Sequence, residues 1–135
     1  NKANGKIISP KSNNKVTRSL YVEGEIFNLP QKNSHFWLAI EMCHGNIIRL
    51  WPKTSEMNIQ EGKWSFLIEE HGSPPEEGFS IVFLQIDDDT HRLFENLYRY
   101  SEMTGSYPGL QWKNLHLDNK AGYYILDRVN NLKLA

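Results

Sequence analysis

Arg18-Ser19-Leu20-Tyr21-Val22-Glu23-Gly24-Glu25-Ile26-Phe27-Asn28 alternates along its whole length. Leu20, Val22, Gly24 and Ile26 fall on one side of an extended chain; Tyr21, Glu23, Glu25 and Phe27 fall on the other. A repeat of two with one mostly apolar face is the mark of a half-buried β-strand, because successive side chains of a pleated strand point to opposite faces. Gly24, in the middle of the run, predicts a bulge or the close approach of another backbone. Leu29-Pro30 ends the strand.

The same rhythm continues on both sides of this stretch. His35 to Cys43 is apolar on both faces except for Glu41, which predicts a central strand covered from both sides. Gly45-Asn46 turns the chain, and Ile47, Ile48, Leu50 and Trp51 run back as a hairpin that Pro52 closes. Met57 to Gln60 is a poor strand. After a turn at Glu61-Gly62, Trp64, Phe66 and Ile68 alternate against Ser65, Leu67 and Glu69. Gly72 to Gly78 is a loop, and Phe79 to Ile86 is a third strong strand. Towards the N-terminus, Asn1 to Lys6 reads as frayed and Ile7-Ile8-Ser9 as an edge strand stopped by Pro10, with a polar turn over Lys11 to Lys15. Tyr123 to Leu134, after a turn at Asp118 to Gly122, is a terminal strand broken near Asn130-Asn131.

One segment changes period. Asp87-Asp88-Asp89-Thr90 precedes Leu93, Phe94, Leu97, Tyr100 and Met103, whose spacing makes one helical stripe. Acidic residues complement the positive start of a helix, and Gly105 suits a left-handed C-terminal cap. The prediction is a helix over about 90–104, then a turn at Ser106 to Gly109 and loosely extended chain through Leu110, Trp112, Leu115 and Leu117. About seven strands with frequent turns and one inserted helix before the last strand predict a single domain over 1–135, mainly β, built as an immunoglobulin-like two-sheet sandwich.

Composition supports a globular domain. The chain has 135 residues, 39% hydrophobic and 23% charged, with aromatics at 12%. Such a length buries roughly two-thirds of the unfolded surface and needs no covalent staple. Its 15 basic and 16 acidic residues form no basic run, which argues against a nucleic-acid partner. No apolar stretch reaches the roughly 20 residues of a membrane span, and no signal peptide is visible. A cytoplasmic location is expected. Asn1 in place of Met fits a domain excised from a longer protein or a processed product. Cys43, the single cysteine, has no disulfide partner and is expected to pack as a small hydrophobe.

Ile8-Ser9-Pro10, Val22-Glu23-Gly24, Phe36-Trp37-Leu38, Leu50-Trp51-Pro52, Gly62-Lys63-Trp64-Ser65, Gly78-Phe79-Ser80-Ile81 and Tyr107-Pro108-Gly109-Leu110 follow one another in an order that resembles bacterial immunoglobulin-like accessory domains of multidomain proteins. The resemblance spans most of the chain through short structural motifs. It implies a non-enzymatic recognition or assembly module of a larger bacterial signalling or defence protein, with no catalytic residues. The absence of a second cysteine separates the chain from antibody-type domains.

The residues themselves show no catalytic or metal constellation. His35, His44, His71, His91 and His116 lack metal-ligand spacing, and Cys43-His44 on a strand would face opposite ways. Asp87-Asp88-Asp89 reads as a helix cap rather than a cation loop. Glu69-Glu70-His71 and Glu76-Glu77 flank a Pro-Pro loop and read as a solvated surface. No cofactor and no metal are expected.

Trp37 and Trp64, in apolar strands, read as core. Trp51, Trp112, Tyr107 and Tyr123 have polar or turn neighbours and are the candidate binding residues, since exposed flat rings beside hydrogen-bonding groups hold peptides or sugar rings. The expected partner is a protein or a neighbouring domain of the same chain, with homodimerisation through an edge strand as a further route. The alternative is a carbohydrate-binding module of a secreted enzyme, with a glycan as partner.

Overall fold

A computed structural model of the chain describes residues 2–30, 33–54, 57–70, 72–117 and 120–135. Asn1, His71 and the Asp118-Asn119 tip of the expected turn lie outside the described residues. The elements in chain order are β1 (Asn4–Ser9), β2 (Lys15–Val16), β3 (Ser19–Phe27), β4 (His35–His44), β5 (Ile47–Thr54), β6 (Asn58–Gln60), β7 (Lys63–Glu69), β8 (Phe79–Ile86), α1 (Asp88–Thr104), a 3-10 turn (Trp112–Leu115), β9 (His116–Leu117), β10 (Lys120–Ala121) and β11 (Tyr123–Leu134).

Two sheets form the body. One has the order β1-β3-β7-β6, and the other β2-β11-β8-β4-β5. Within these sheets every pairing is antiparallel except β2 with β11. This is the Greek-key order of an immunoglobulin-like sandwich, with the N-terminal segment contributing a strand to each sheet. No helix among the described residues is long and apolar enough to cross a membrane.

The alternation seen in β3 sets its register. Val22, Gly24 and Ile26 are buried while Tyr21, Glu23 and Phe27 are exposed. Val22 and Ile26 join Trp64 and Ile68 from the same sheet and Leu38, Ile40, Ile81, Phe83 and Leu132 from the other. Trp64 and Phe83 touch across the sheets, ring centroids 4.7 Å apart. Each large aliphatic or aromatic side chain removed from water here stabilises the fold by roughly 1.5–3 kcal/mol.

Gly24 meets both expectations drawn from it. It pairs with Ile7 on one side and Trp64 on the other, and the β1 register slips between Ile7 and Ser9 beside it. The backbone of β1 and the Trp64 ring both close over the position.

β4 is covered on both faces, as its two-faced apolar run predicts, and so is β8 beside it. The second face carries its own core: Trp37, Ala39, Val82, Leu84 and Ile86 pack against Phe94 of α1 and Leu115 of the 3-10 turn. The segment between β8 and β11 thus forms a third layer on the five-stranded sheet.

The helix is capped at both ends. Asp87 is extended and accepts from the Thr90 N–H at 2.8 Å, and Gly105 closes the helix with φ 73° and an N–H bond to Ser101 O. The helix starts at Asp88, two residues before the expected Thr90. Its buried stripe is Thr90, Phe94 and Ser101, with Leu97 half-buried. Leu93, Tyr100 and Met103, expected on that stripe, are exposed, Met103 at 80%. A helix resting on a sheet through a narrow strip buries only the positions one turn apart, so the flanking apolar residues stay wet.

Four other expectations are corrected. The N-terminal segment is ordered from Ala3, which is buried and donates its N–H to Gln85 Oε1 at 2.7 Å, and β1 begins at Asn4. Pairing with β3 supplies an order that the polar residues alone do not suggest. Cys43 is exposed. The β4–β8 ladder ends at Glu41 opposite Ser80, so Cys43 stands where β4 is paired with β5 alone, through Ile48. Pro52 does not close β5, which runs on to Thr54 because an edge strand can spare one N–H. Residues 110–117 are not loosely extended: Leu110 bridges Leu50, and a 3-10 turn and a short strand follow.

Candidate functional site

The sandwich is open along one side. β6 pairs only with Lys63, Trp64 and Ser65, so among the described residues β7 has no strand neighbour on that side from Phe66 onwards. Across the gap runs β5, the last strand of the other sheet. Between them lies a cleft of about 770 Å³.

Each wall of the cleft follows from a local rule. Trp51 and Lys53, two apart on β5, share the face turned towards the facing sheet. Tyr98 and Glu102, four apart on α1, are neighbours on the helix surface and overhang the mouth. Tyr107 is brought in by the chain after the helix. Leu50 and Leu110 exchange two backbone hydrogen bonds of 2.8 and 2.9 Å, which anchors that chain on the edge of β5. The Trp51 indole then donates to Tyr107 O at 2.9 Å. Gly109 lies directly on Trp51: a Cβ there would sit 2.9 Å from the ring, so only glycine allows this contact.

An ion pair crosses the gap. Lys53 Nζ is 3.0 Å from Glu70 Oε2. The other carboxylate oxygen of Glu70 accepts from the Gly72 N–H at 2.7 Å. The Arg18 guanidinium donates to Glu70 O at 2.9 Å and Gly72 O at 2.7 Å. Glu70, expected on a solvated surface, is 8% exposed and ties the edge of β5 to the end of β7. Glu76 and Glu77 are exposed, as expected.

The four candidate aromatics separate into two pairs. Trp51 and Tyr107 meet in the cleft, and Tyr107 is 61% exposed. Trp112 and Tyr123 are half-buried and pack together elsewhere, ring centroids 5.0 Å apart, on the outer face of the five-stranded sheet. The Trp112 indole donates to Glu41 Oε2 at 2.6 Å, and Arg128, paired with Glu41, lies over its ring. This pair pins the third layer to β4 and β11.

A larger but flatter hollow of about 1010 Å³ spreads over the four-stranded sheet around Glu23, Glu25 and Lys63. Its aromatic wall, Trp64, is 3% exposed and donates to Glu25 O at 3.2 Å, so it presents no ring to a ligand.

Sequence reasoning missed one cluster. His35 and His91 stack with centroids 3.7 Å apart and planes 7° apart. His35 Nε2 is 2.7 Å from Asp88 Oδ1, and His91 Nε2 is 3.3 Å from Glu95 Oε1. The positions 88, 91 and 95 share one helix face, which was the available signal. Each of the three aspartates is engaged: Asp87 caps the helix, Asp88 holds His35, and Asp89 pairs with Arg92. Among the described residues no three potential metal ligands converge.

The tautomer of His91 follows from its partners. Trp37 Nε1 lies 2.9 Å from His91 Nδ1, and an indole N–H can only donate, so Nδ1 carries no proton and Nε2–H faces Glu95. Burial, and after it the neighbouring His35, push the His91 imidazole below its ordinary value of 6.5, while Glu95 and Asp88 pull the other way. The unfolded chain therefore takes up this proton first as pH falls. The associated stability is fully present above the ordinary value and is lost between that value and the lowered one. The urea midpoint is expected to fall between pH 7.5 and pH 5, and to fall less in His91→Phe, which keeps a flat ring but cannot titrate. Equal falls in both proteins would refute the assignment.

Fold and cleft together define the class: an immunoglobulin-like sandwich with a helical third layer and an aromatic-walled opening between its sheets. No protein-family model matches the chain, and no curated protein matches it.

Proposed function

We propose that this domain is a non-catalytic recognition module that takes its partner in the cleft between β5 and β7. One observation carries the reading: Trp51 and Tyr107, 56 residues apart in the chain, are held together at a gap between the sheets. Aromatic rings with accessible faces, backed by a rigid scaffold, are the usual anchors of recognition surfaces. The charged pair beneath them is spent on structure, since both oxygens of Glu70 are already engaged. The sequence resemblance supports placing the module in a larger bacterial signalling or defence protein, where the partner is a protein or a neighbouring domain.

Peptide and glycan arrays probed with the wild type and with a Tyr98→Ala/Tyr107→Ala variant test the reading. Tyr98 is 47% and Tyr107 61% exposed, and the Trp51 bond goes to the Tyr107 backbone, so the variant should fold. Peptide signals present with wild type and lost with the variant are expected. Signals equal in both, or none on either array, would sink the cleft as the binding site. Signals confined to the glycan array would replace the protein partner with a sugar.

A further inference from the structure

We infer that the cleft receives an extended segment of a partner protein, added to the sheet as a new strand along the open edge of β7 at Leu67. The inference rests on the recognition reading above and adds the form of the occupant and the backbone groups that hold it.

The cleft meets its two bordering strands differently. On β5 it touches Trp51 and Lys53, every second residue, which is one face of that strand. On β7 it touches every residue from Phe66 to Glu69, and Glu70 after them. Successive strand residues point to opposite faces, so an opening that reaches all of them reaches the strand from its edge.

The ladder fixes which backbone groups turn to that edge. At the two ends of the β3–β7 pairing, the Ile26 N–H donates to Gly62 O and the Glu70 N–H to Arg18 O. Hydrogen-bonded pairs alternate along an antiparallel ladder, so Phe66 and Ile68 spend their backbone groups on β3, while Lys63, Ser65, Leu67 and Glu69 turn theirs away from it. Lys63 and Ser65 meet Gln60 and Asn58 of β6. Leu67 is next in line, and among the described residues its N–H and C=O have no hydrogen-bond partner.

A donor and an acceptor on one exposed strand edge are matched by another extended backbone. The other strand at the cleft offers no such edge: Leu50 gives both its groups to Leu110, and Pro52, two further on, has no N–H. On β1, Asp127 Oδ2 accepts the Ile7 N–H at 2.7 Å. Trp51 and Phe66 pack on the core between the sheets, so side chains on the inner side of the added strand would rest on them. Apolar residues at alternate positions therefore suit the occupant.

Amide hydrogen exchange read by NMR tests this, with a decapeptide alternating valine and threonine between Gly/Ser ends as the probe. Its control is N-methylated on the central amides, which keeps the side chains and removes the N–H groups. In the dilute free domain the Leu67 amide is expected to exchange like an exposed one, and to slow about tenfold or more under saturating peptide. The N-methylated peptide should bind about tenfold more weakly, as befits the loss of two or three backbone hydrogen bonds. Leu67→Pro removes the outward N–H without touching the β3 ladder and should weaken the unmethylated peptide about fivefold; the methylated control decides the matter should that variant not fold. Unchanged Leu67 exchange with peptide bound, equal binding of the two peptides, or no binding at about 1 mM peptide would overturn the inference. So would a Leu67 amide already protected in the free domain, and protection that grows with protein concentration would give the edge to a second copy instead. Equal binding that Tyr98→Ala/Tyr107→Ala still abolishes would leave the cleft reading standing. Silence from both peptides and from both arrays would remove it as well.

Discussion

Phe94→Ala is expected to destabilise the domain by about 3–5 kcal/mol, the range for deleting a fully buried phenylalanine. Phe94 has no exposed surface and stands edge-on to Trp37, centroids 5.2 Å apart at 84°. It is the one large apolar side chain of α1 that is fully buried; the helix otherwise buries only Thr90 and Ser101. Nothing of comparable size nearby can refill the space, so the loss includes a cavity as well as transfer free energy. The effect should extend to the cleft, because Tyr98 and Glu102 lie one and two turns beyond Phe94 on the same helix. Urea unfolding measures the global loss, and tryptophan emission should shift to the red as Trp37 meets water. Met103→Ala, at the exposed end of the predicted stripe, should change stability by less than about 0.5 kcal/mol. A loss below about 1 kcal/mol for Phe94→Ala would mean that the helix is not held to the sheet by this contact.

Gly24→Ala should cost about 3 kcal/mol or more, at the upper end of overpacking penalties. A Cβ at this position would lie 2.2 Å from Lys6 O and 2.2 Å from Cζ2 of Trp64. Neither neighbour can yield easily. The Lys6 carbonyl belongs to β1, whose displacement would break its ladder with β3. The Trp64 ring is fixed by its bond to Glu25 O and by Phe83 behind it. Gly105→Ala provides the contrast, since open space surrounds that position and only the left-handed φ of 73° opposes a side chain. Its cost should be about 1 kcal/mol. Thermal and urea unfolding of both variants checks the ranking, and a Gly24→Ala protein as stable as Gly105→Ala would contradict the close approach.

Most of the architecture was legible in the chain because strands and helices write their burial into side-chain spacing. The alternation of β3, the two-faced apolar run of β4 and the capped helix all have one-dimensional signatures. Errors arose where an element continues past its cover. Cys43 looked like core because the run before it is largely apolar, yet it lies past Glu41, where the pairing of β4 with β8 ends, and is exposed. Glu70 looked solvated among charged neighbours, yet Lys53, close to it only after folding, and the Gly72 N–H two residues on satisfy it out of water.

Residue order alone thus determined which segments form strands, that β4 is buried on both faces, and where the helix begins and ends to within two residues. Tertiary structure decided which aromatics share a site. Trp51 and Tyr107 meet because Leu110 hydrogen-bonds to Leu50, while Trp112 and Tyr123 are drawn away to Glu41 and Arg128. The physical reason is range: local periodicity records whether a side chain faces a core, but its partner in space depends on contacts made between residues tens of positions apart, which leave no mark on spacing.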